Sequence, residues 1–377
     1  MDVNNNNTNN VMTSIKQQLK QDNLISPQIS PLQISPLQIS PLQISPLQIS
    51  PLQISPLVNP SLVNPSLINP SQIKPSTIPD KNITNVLSND YIIIERIGSG
   101  SFGEVYLAQY KDGGYVAAKV EEKEKLKSTD SRVYNEYKIY YYLHKANFKV
   151  GLPKVYDYIQ TSDYNIMFMQ LLGPSLEDLF NKYNRKFKLP TIFLLAEQLI
   201  TLLQQLHESK FIHRDIKPNN FLIGRDNNTD QIYMMDFGLS KKYINDGKHI
   251  KFRDKRSLIG TARYASINMH MGFEPSRRDD LESTGYMLIY LIKGVLPWQG
   301  IKKQKGIDHI ESIGEIKIST SISTLCKGVP NSFKDYLQYC RNLKFDETPD
   351  YAYLQKLFKL DCKDMKIVPK FEWSDPK

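Results

Sequence analysis

Proline recurs at every fifth position between Pro31 and Pro56, and this confines where the chain can fold. Each proline removes a backbone donor and disfavours helix in the residue before it, so neither a helix nor a central strand can propagate through the run. From Ile25 to about Leu57 the unit is Ile-Ser-Pro-Leu-Gln, drifting into Val-Asn-Pro-Ser-Leu and Ile-Asn-Pro-Ser-Gln up to Pro75. Five residues are too few for a stacking repeat that buries a core. Residues 1–88 are therefore expected to form a disordered low-complexity tail. Ser30, Ser35, Ser40, Ser45, Ser50 and Ser55 each precede proline, which leaves a docking or phosphorylation role open.

At Tyr91 the composition changes. Tyr91 to Ile97 is β-branched and predicts a strand, Gly98-Ser99-Gly100-Ser101-Phe102-Gly103 a turn, and Glu104 to Ala108 the returning strand. Glycines in such a hairpin let the backbone approach a phosphate chain closely. A dinucleotide-binding turn would need a helix directly after the glycines, and here a strand follows. Tyr115 to Val120 is a third strand, interrupted by Lys119. A lysine there needs a carboxylate partner, and a helical segment from about Asp130 to Lys145 offers Glu136. Glu121, Glu122 and Glu124 lie too near in sequence and are assigned to a solvated turn. Tyr164 to Met169 predicts a strand leading to a hinge at Gln170-Leu171-Leu172, where free backbone groups suit the edge of an adenine. Phe193 to His207 is apolar and predicts a buried helix.

After that helix comes Phe211-Ile212-His213-Arg214-Asp215-Ile216-Lys217-Pro218-Asn219-Asn220. Asp215 is placed to take the proton of an attacking hydroxyl, Lys217 to neutralise a transferring phosphoryl group, and Asn220 to bind a metal. Ile232 to Met235 then predicts a short strand ending in Asp236-Phe237-Gly238, whose carboxylate would hold Mg²⁺ between phosphates. His207 and His213 have no partners at metal-ligand spacing and are assigned to the core and loop.

The order of these elements resembles the protein kinases, whose signatures are the glycine-rich loop, the strand lysine, H-R-D-x-x-x-x-N and D-F-G. The resemblance implies an α+β, two-lobed fold: a small antiparallel β-sheet N-lobe with one main helix, and a larger, mostly helical C-lobe. It places the kinase domain at 89–375, with the N-lobe at about 89–169, the hinge at 170–173 and the C-lobe at about 174–375. ATP and Mg²⁺ are the implied cofactors. The nucleotide-facing residues are Ile97, Gly98, Gly100, Gly103, Val105, Ala117, Lys119, Glu136, Met169 and Leu172.

Ala-Pro-Glu, the usual end of an activation segment, is absent. In its place stand Gly260-Thr261-Ala262-Arg263-Tyr264-Ala265-Ser266-Ile267-Asn268, followed by Ser276-Arg277-Arg278-Asp279-Asp280-Leu281-Glu282-Ser283 and Leu296-Pro297-Trp298-Gln299-Gly300. These segments, with Leu171 to Phe180, Asp236 to Tyr243 and Phe345 to Tyr351, resemble the casein kinase 1 family from about Tyr91 to Trp373. That resemblance implies a serine/threonine kinase acting on acidic or already phosphorylated proteins. It also implies an anion site built from Arg263, Arg256 and Lys305, the last carried across a stretch shorter than the family pattern. Three departures stand out. Asn219 replaces the usual Asp, with little expected effect on chemistry. Gln170 replaces the usual hinge Glu, with a modest effect expected on nucleotide affinity. The helix bearing Glu136 begins later than usual. The expected C-terminus is short, without the family's inhibitory tail.

Charge narrows the alternatives less. The chain carries a formal charge of +9, and residues 1–90 balance Lys16, Lys20, Lys74 and Lys81 against Asp2, Asp22, Asp80 and Asp90, so the excess lies beyond them. A basic folded surface attracts acidic partners of several kinds. Nucleic-acid recognition would rest on charge alone, without aromatic-basic motifs, and is not expected. Cys326, Cys340 and Cys362 fit neither a zinc site nor a disulfide framework and are expected as buried thiols. No signal segment, transmembrane-length stretch or lipidation site is expected. The expectation is a monomer with no membrane anchor, in cytoplasm, nucleus or both, with a pseudokinase or scaffold of the same fold as the competing reading.

Overall fold

The computed structural model describes residues 90–374 apart from 101–102, 126–130, 147 and 302–307, together with Gln17, Lys20 and Gln21. The rest of the expected tail lies outside the described residues. Lys20 Nζ stands 2.5 Å from Asp254 Oδ2, with both side chains partly exposed.

Strands β1 (Tyr91–Gly100), β2 (Gly103–Tyr110), β3 (Tyr115–Glu122), β4 (Val155–Gln160) and β5 (Tyr164–Gln170) form one antiparallel sheet in the order β1-β2-β3-β5-β4. Alternation along β3 separates two jobs. Val116, Ala118 and Val120 join the outer apolar cluster with Tyr91, Tyr106 and Phe168, while Ala117 faces the core that the sheet shares with the rest of the domain. Lys119, two residues on, takes that same inner face.

Helix α1 (Arg132–Lys145) begins at Ser131, whose side chain accepts from the Tyr134 amide. Its buried residues are Val133, Glu136, Tyr140 and Leu143, a single stripe at helical spacing, so Glu136 is carried inward by the same periodicity that buries its neighbours. Glu121 departs from the expected solvated turn. It is buried in β3 and accepts from Ser131 Oγ (2.5 Å), Arg132 N (3.0 Å) and Asn165 Nδ2 (3.1 Å), so it caps the start of α1. Glu122 closes the strand, and only Glu124 sits in an exposed turn.

Beyond the hinge come α2 (Leu176–Lys182) and α3 (Leu189–Glu208), then short strands β6 (Phe211–Ile212), β7 (Phe221–Ile223), β8 (Ile232–Met234) and β9 (Lys241–Lys242). Helices α4 (Ile267–His270), α5 (Arg277–Lys293), α6 (His309–Ser319), α7 (Ile322–Leu325), α8 (Asn331–Asn342) and α9 (Tyr351–Asp364) complete the domain. Helix α3 packs on α5 and α9, and α8 packs on α5 and α9, which leaves α5 buried over nearly its whole length. By length and composition α3 could cross a membrane, contrary to the expectation that no stretch reaches that length. Its apolar residues, Leu195, Leu199, Leu202 and Leu206 among them, instead fill the centre of the helical lobe. The three cysteines are free and buried, as expected.

Candidate active site

Two groups of charged side chains face the cleft between the sheet and the helical lobe. The first begins with Lys119, whose Nζ lies 2.5 Å from Glu136 Oε2 and 3.1 Å from Asp236 Oδ1. Strand periodicity aims the lysine and helix periodicity aims the glutamate. Burial works against the lysine's charge, but Glu136 and Asp236 outweigh it and raise its pKa above the ordinary range. Asp236 is held below the usual carboxylate range: burial opposes its charge, and Lys119, His213 and Lys217 overcome that opposition. Its backbone is left-handed (φ 62°), a conformation that costs a non-glycine residue energy and is kept by its surroundings. Phe237 beside it is fully buried edge-on to Tyr140, 4.9 Å between ring centres, which locks the turn against α1.

The second group is the loop after β6. Asp215 Oδ1 accepts from the amide and the hydroxyl of Thr261, at 2.9 and 2.7 Å. Lys217 Nζ lies 2.6 Å from Asp215 Oδ2, so the carboxylate has one oxygen fixed by Thr261 and the other beside a cation. Asn220 donates through Nδ2 to the Asp215 carbonyl at 2.8 Å, which leaves its Oδ1 available as an oxygen donor to a cation. The loop itself hangs from Asp280. That buried carboxylate accepts from the amides of His213 (2.7 Å) and Arg214 (2.8 Å) and faces His207 Nε2 at 3.0 Å. Gly260 permits the approach of the Thr261 segment: at φ 80° it lies so close that a Cβ would fall 2.3 Å from the Arg214 carbonyl oxygen.

The glycine-rich turn has a similar requirement. Gly103 pairs with Gly100, and a Cβ on Gly103 would fall 2.3 Å from the Val120 carbonyl oxygen. Gly98 pairs with Val105 across the hairpin. Ala117, Met169 and partly buried Val105 belong to one apolar cluster, Leu172 is buried, and Ile97 is exposed at the rim. Among the described residues, the backbone groups of Leu171 and Leu172 at the expected hinge have no protein partner. Gln170 turns its side chain away from that role and accepts from the Lys154 amide at 3.2 Å.

Of the expected anion-site residues, Arg256 and Arg263 lie among the described residues and have different neighbours. Arg256 is exposed, with Nε 3.6 Å from Glu274, a buried carboxylate that also takes Lys241 at 2.5 Å. Arg263 instead lays its guanidinium over the rings of Tyr264 and Tyr290, at 5.7 and 5.5 Å. Lys305 lies outside the described residues. Asn219 is exposed on its turn, away from the hydrogen bonds that hold Asp215. Thr261 and Asp280 were quoted in the sequence only as parts of longer motifs. Their function as supports of Asp215 and its loop depends on contacts across 46 and 66 or 67 residues of chain.

Among the described residues no cluster of three or more His, Cys, Asp or Glu side chains could hold a metal alone. Asp236 and Asn220 supply two hard oxygen donors, which suits a cation that completes its shell with phosphate oxygens. A buried lysine between two carboxylates, one of them held below its usual range, and a further carboxylate braced by Thr261 form an arrangement that suits phosphoryl transfer. The model of the protein kinase domain matches residues 91–349, and the chain belongs to that family. The family brings with it ATP as the phosphoryl donor and proteins as acceptors.

Proposed function

We propose that this chain is an active serine/threonine kinase of the casein kinase 1 type, using ATP with Mg²⁺ to phosphorylate acidic or already phosphorylated proteins. The observation that carries the activity is the joint geometry of Lys119, Glu136 and Asp236 on one side and Asp215, Lys217 and Asn220 on the other. A scaffold that only bound partners would have no physical need of this full set.

Lys119 holds the α- and β-phosphates. Asp236 and Asn220 would hold Mg²⁺, which would supply charge neutralisation on the phosphates. Asp215 orients the acceptor hydroxyl through Oδ2 and takes its proton as the hydroxyl oxygen bonds to the γ-phosphorus and the bond to the bridging oxygen of ADP breaks. Lys217 sits beside Asp215 Oδ2, where it offsets charge on the transferring group. The acidic preference rests on the resemblance of the Gly260 to Asn268 segment, on the basic excess of the folded part and on arginine's fit to phosphate. Arg263 is the principal anion-binding residue of this reading, with Arg256 and Lys305 as its companions.

A degenerate-peptide screen with labelled ATP, run with phosphorylated and unphosphorylated residues upstream of the acceptor, tests both halves. Asp236→Ala should abolish incorporation, and equal label with that variant would defeat the enzyme reading. Arg263→Ala should weaken action on primed peptides far more than on unprimed ones. An equal loss on both would remove Arg263 from the anion site.

A further inference from the structure

Lys317, near the end of α6, has no exposed surface, and among the described residues no carboxylate lies within ion-pair distance of it. A buried lysine without a paired anion is costly and calls for a physical reason. Its ammonium is received by backbone instead. Nζ lies 2.5 Å from the Ala265 carbonyl oxygen, 3.0 Å from that of Ala262 and 3.4 Å from that of Arg263. The faces of Trp298 and Tyr286 enclose it at 4.9 and 5.0 Å. Trp298 donates to the Arg263 carbonyl at 2.7 Å, and His270 Nε2 lies 3.1 Å from the Ala262 carbonyl oxygen and 3.2 Å from Nζ. Thus the backbone that begins at Thr261, against Asp215, is gathered a few residues later around one buried cation.

We propose that Lys317 is a positioning residue for the protein substrate, its ammonium holding the Ala262 to Ala265 backbone in the shape that presents the acceptor to Asp215. This rests on the reading of the cleft as a working kinase site. The lysine touches neither substrate nor nucleotide, so its effect belongs to the protein acceptor and not to ATP.

The same surroundings make the anchor sensitive to pH. Burial lowers the Lys317 pKa to about 7, with Glu282 of α5 opposing the shift and Arg341 of α8 adding to it. Glu282 itself is engaged by the Tyr286 hydroxyl, the Ile267 amide and Arg341. His270, the other titratable group at the anchor, is held to about 4 by burial and by Lys317, so it is neutral throughout the range in which the lysine titrates. As pH rises through 7 the ammonium is lost and the three carbonyls lose their charged donor.

Steady-state kinetics of the full chain between pH 6 and pH 9 test this, with Lys317→Met beside the wild type. The wild-type KM for peptide should rise about tenfold across the range while the KM for ATP stays level, the size expected for losing charged hydrogen bonds. Lys317→Met should show the raised peptide KM already at pH 6 and lack the wild-type inflection. Parallel profiles, or an ATP KM that moves with the peptide KM, would overturn the assignment. If the variant does not fold, indole emission of Trp373→Phe, which leaves Trp298 as the sole tryptophan, decides. It should titrate near pH 7 together with the peptide KM, and a flat trace contradicts the proposal. Absence of phosphate transfer by the wild type at every pH would instead overturn the kinase reading, and this inference with it.

Discussion

The energetic weight of the site falls on single side chains that are buried and charged. Lys119 is flanked by two carboxylates, and removing it would leave the buried Glu136 carboxylate without its cation. Lys119→Met should cost about 3–5 kcal/mol in urea unfolding, the size seen when one partner of a buried pair is lost. Lys119→Met combined with Glu136→Leu should recover part of that loss without recovering activity. A double variant as unstable as the sum of its parts would mean that the pair is not coupled. Lys119 and Glu136 were legible because strand and helix patterns each aim one of them inward. Asp280 and Thr261 were not, because a capping carboxylate and a supporting hydroxyl carry no local signal of what they hold. Lys317 was invisible for a related reason: in sequence it is an ordinary polar residue near a helix end, and only the folded carbonyls of Ala262 and Ala265 give it a function.

At the level of elements, the hairpin, the third strand, α1 and α3 were all legible, since each carries its own periodicity or turn chemistry. The misreading of Glu121 shows the limit of that approach. Its nearness in sequence to a turn suggested solvent, whereas its place at the end of β3 brings it to the first amide of α1. Glu121→Ala should therefore lower stability by about 2 kcal/mol, as loss of several hydrogen bonds to one buried carboxylate implies. It should also reduce activity, because α1 carries Glu136. A stable variant with unaltered activity would show that α1 is set by its apolar stripe alone. The short segment from α4 to Gly314 of α6 is also held by His270, whose ring packs on that glycine and whose pKa is lowered to about 4 by burial and Lys317. Between pH 6.5 and pH 4 the unfolded chain takes up this proton and the folded chain resists it, so stability is lost as pH falls through that window. Urea midpoints at pH 7 and pH 5 should differ less for His270→Gln than for the wild type, and an unchanged difference would remove His270 as a contributor.

For the molecule as a whole, the core clusters of the described residues begin at Tyr91, and the proline repeats lie outside the described residues. Deleting residues 1–88 should leave the melting temperature almost unchanged, since the described contact from that region is the partly exposed Lys20 and Asp254 pair. A large fall would place structural weight in the tail. The family match over residues 91–349 and the two-lobed fold make a protein kinase domain, and the proposed activity of this domain is phosphate transfer. Asp215→Asn tests it most directly, because the amide keeps the shape and the bonds from Thr261 but cannot take a proton. Nucleotide binding and phosphate transfer to an acidic peptide should be measured on the same samples. The variant is predicted to bind ATP like the wild type and to transfer phosphate at least about 10²-fold more slowly. Equal transfer by wild type and variant, or none by either with nucleotide bound, would rule out Asp215 as the base of a working kinase.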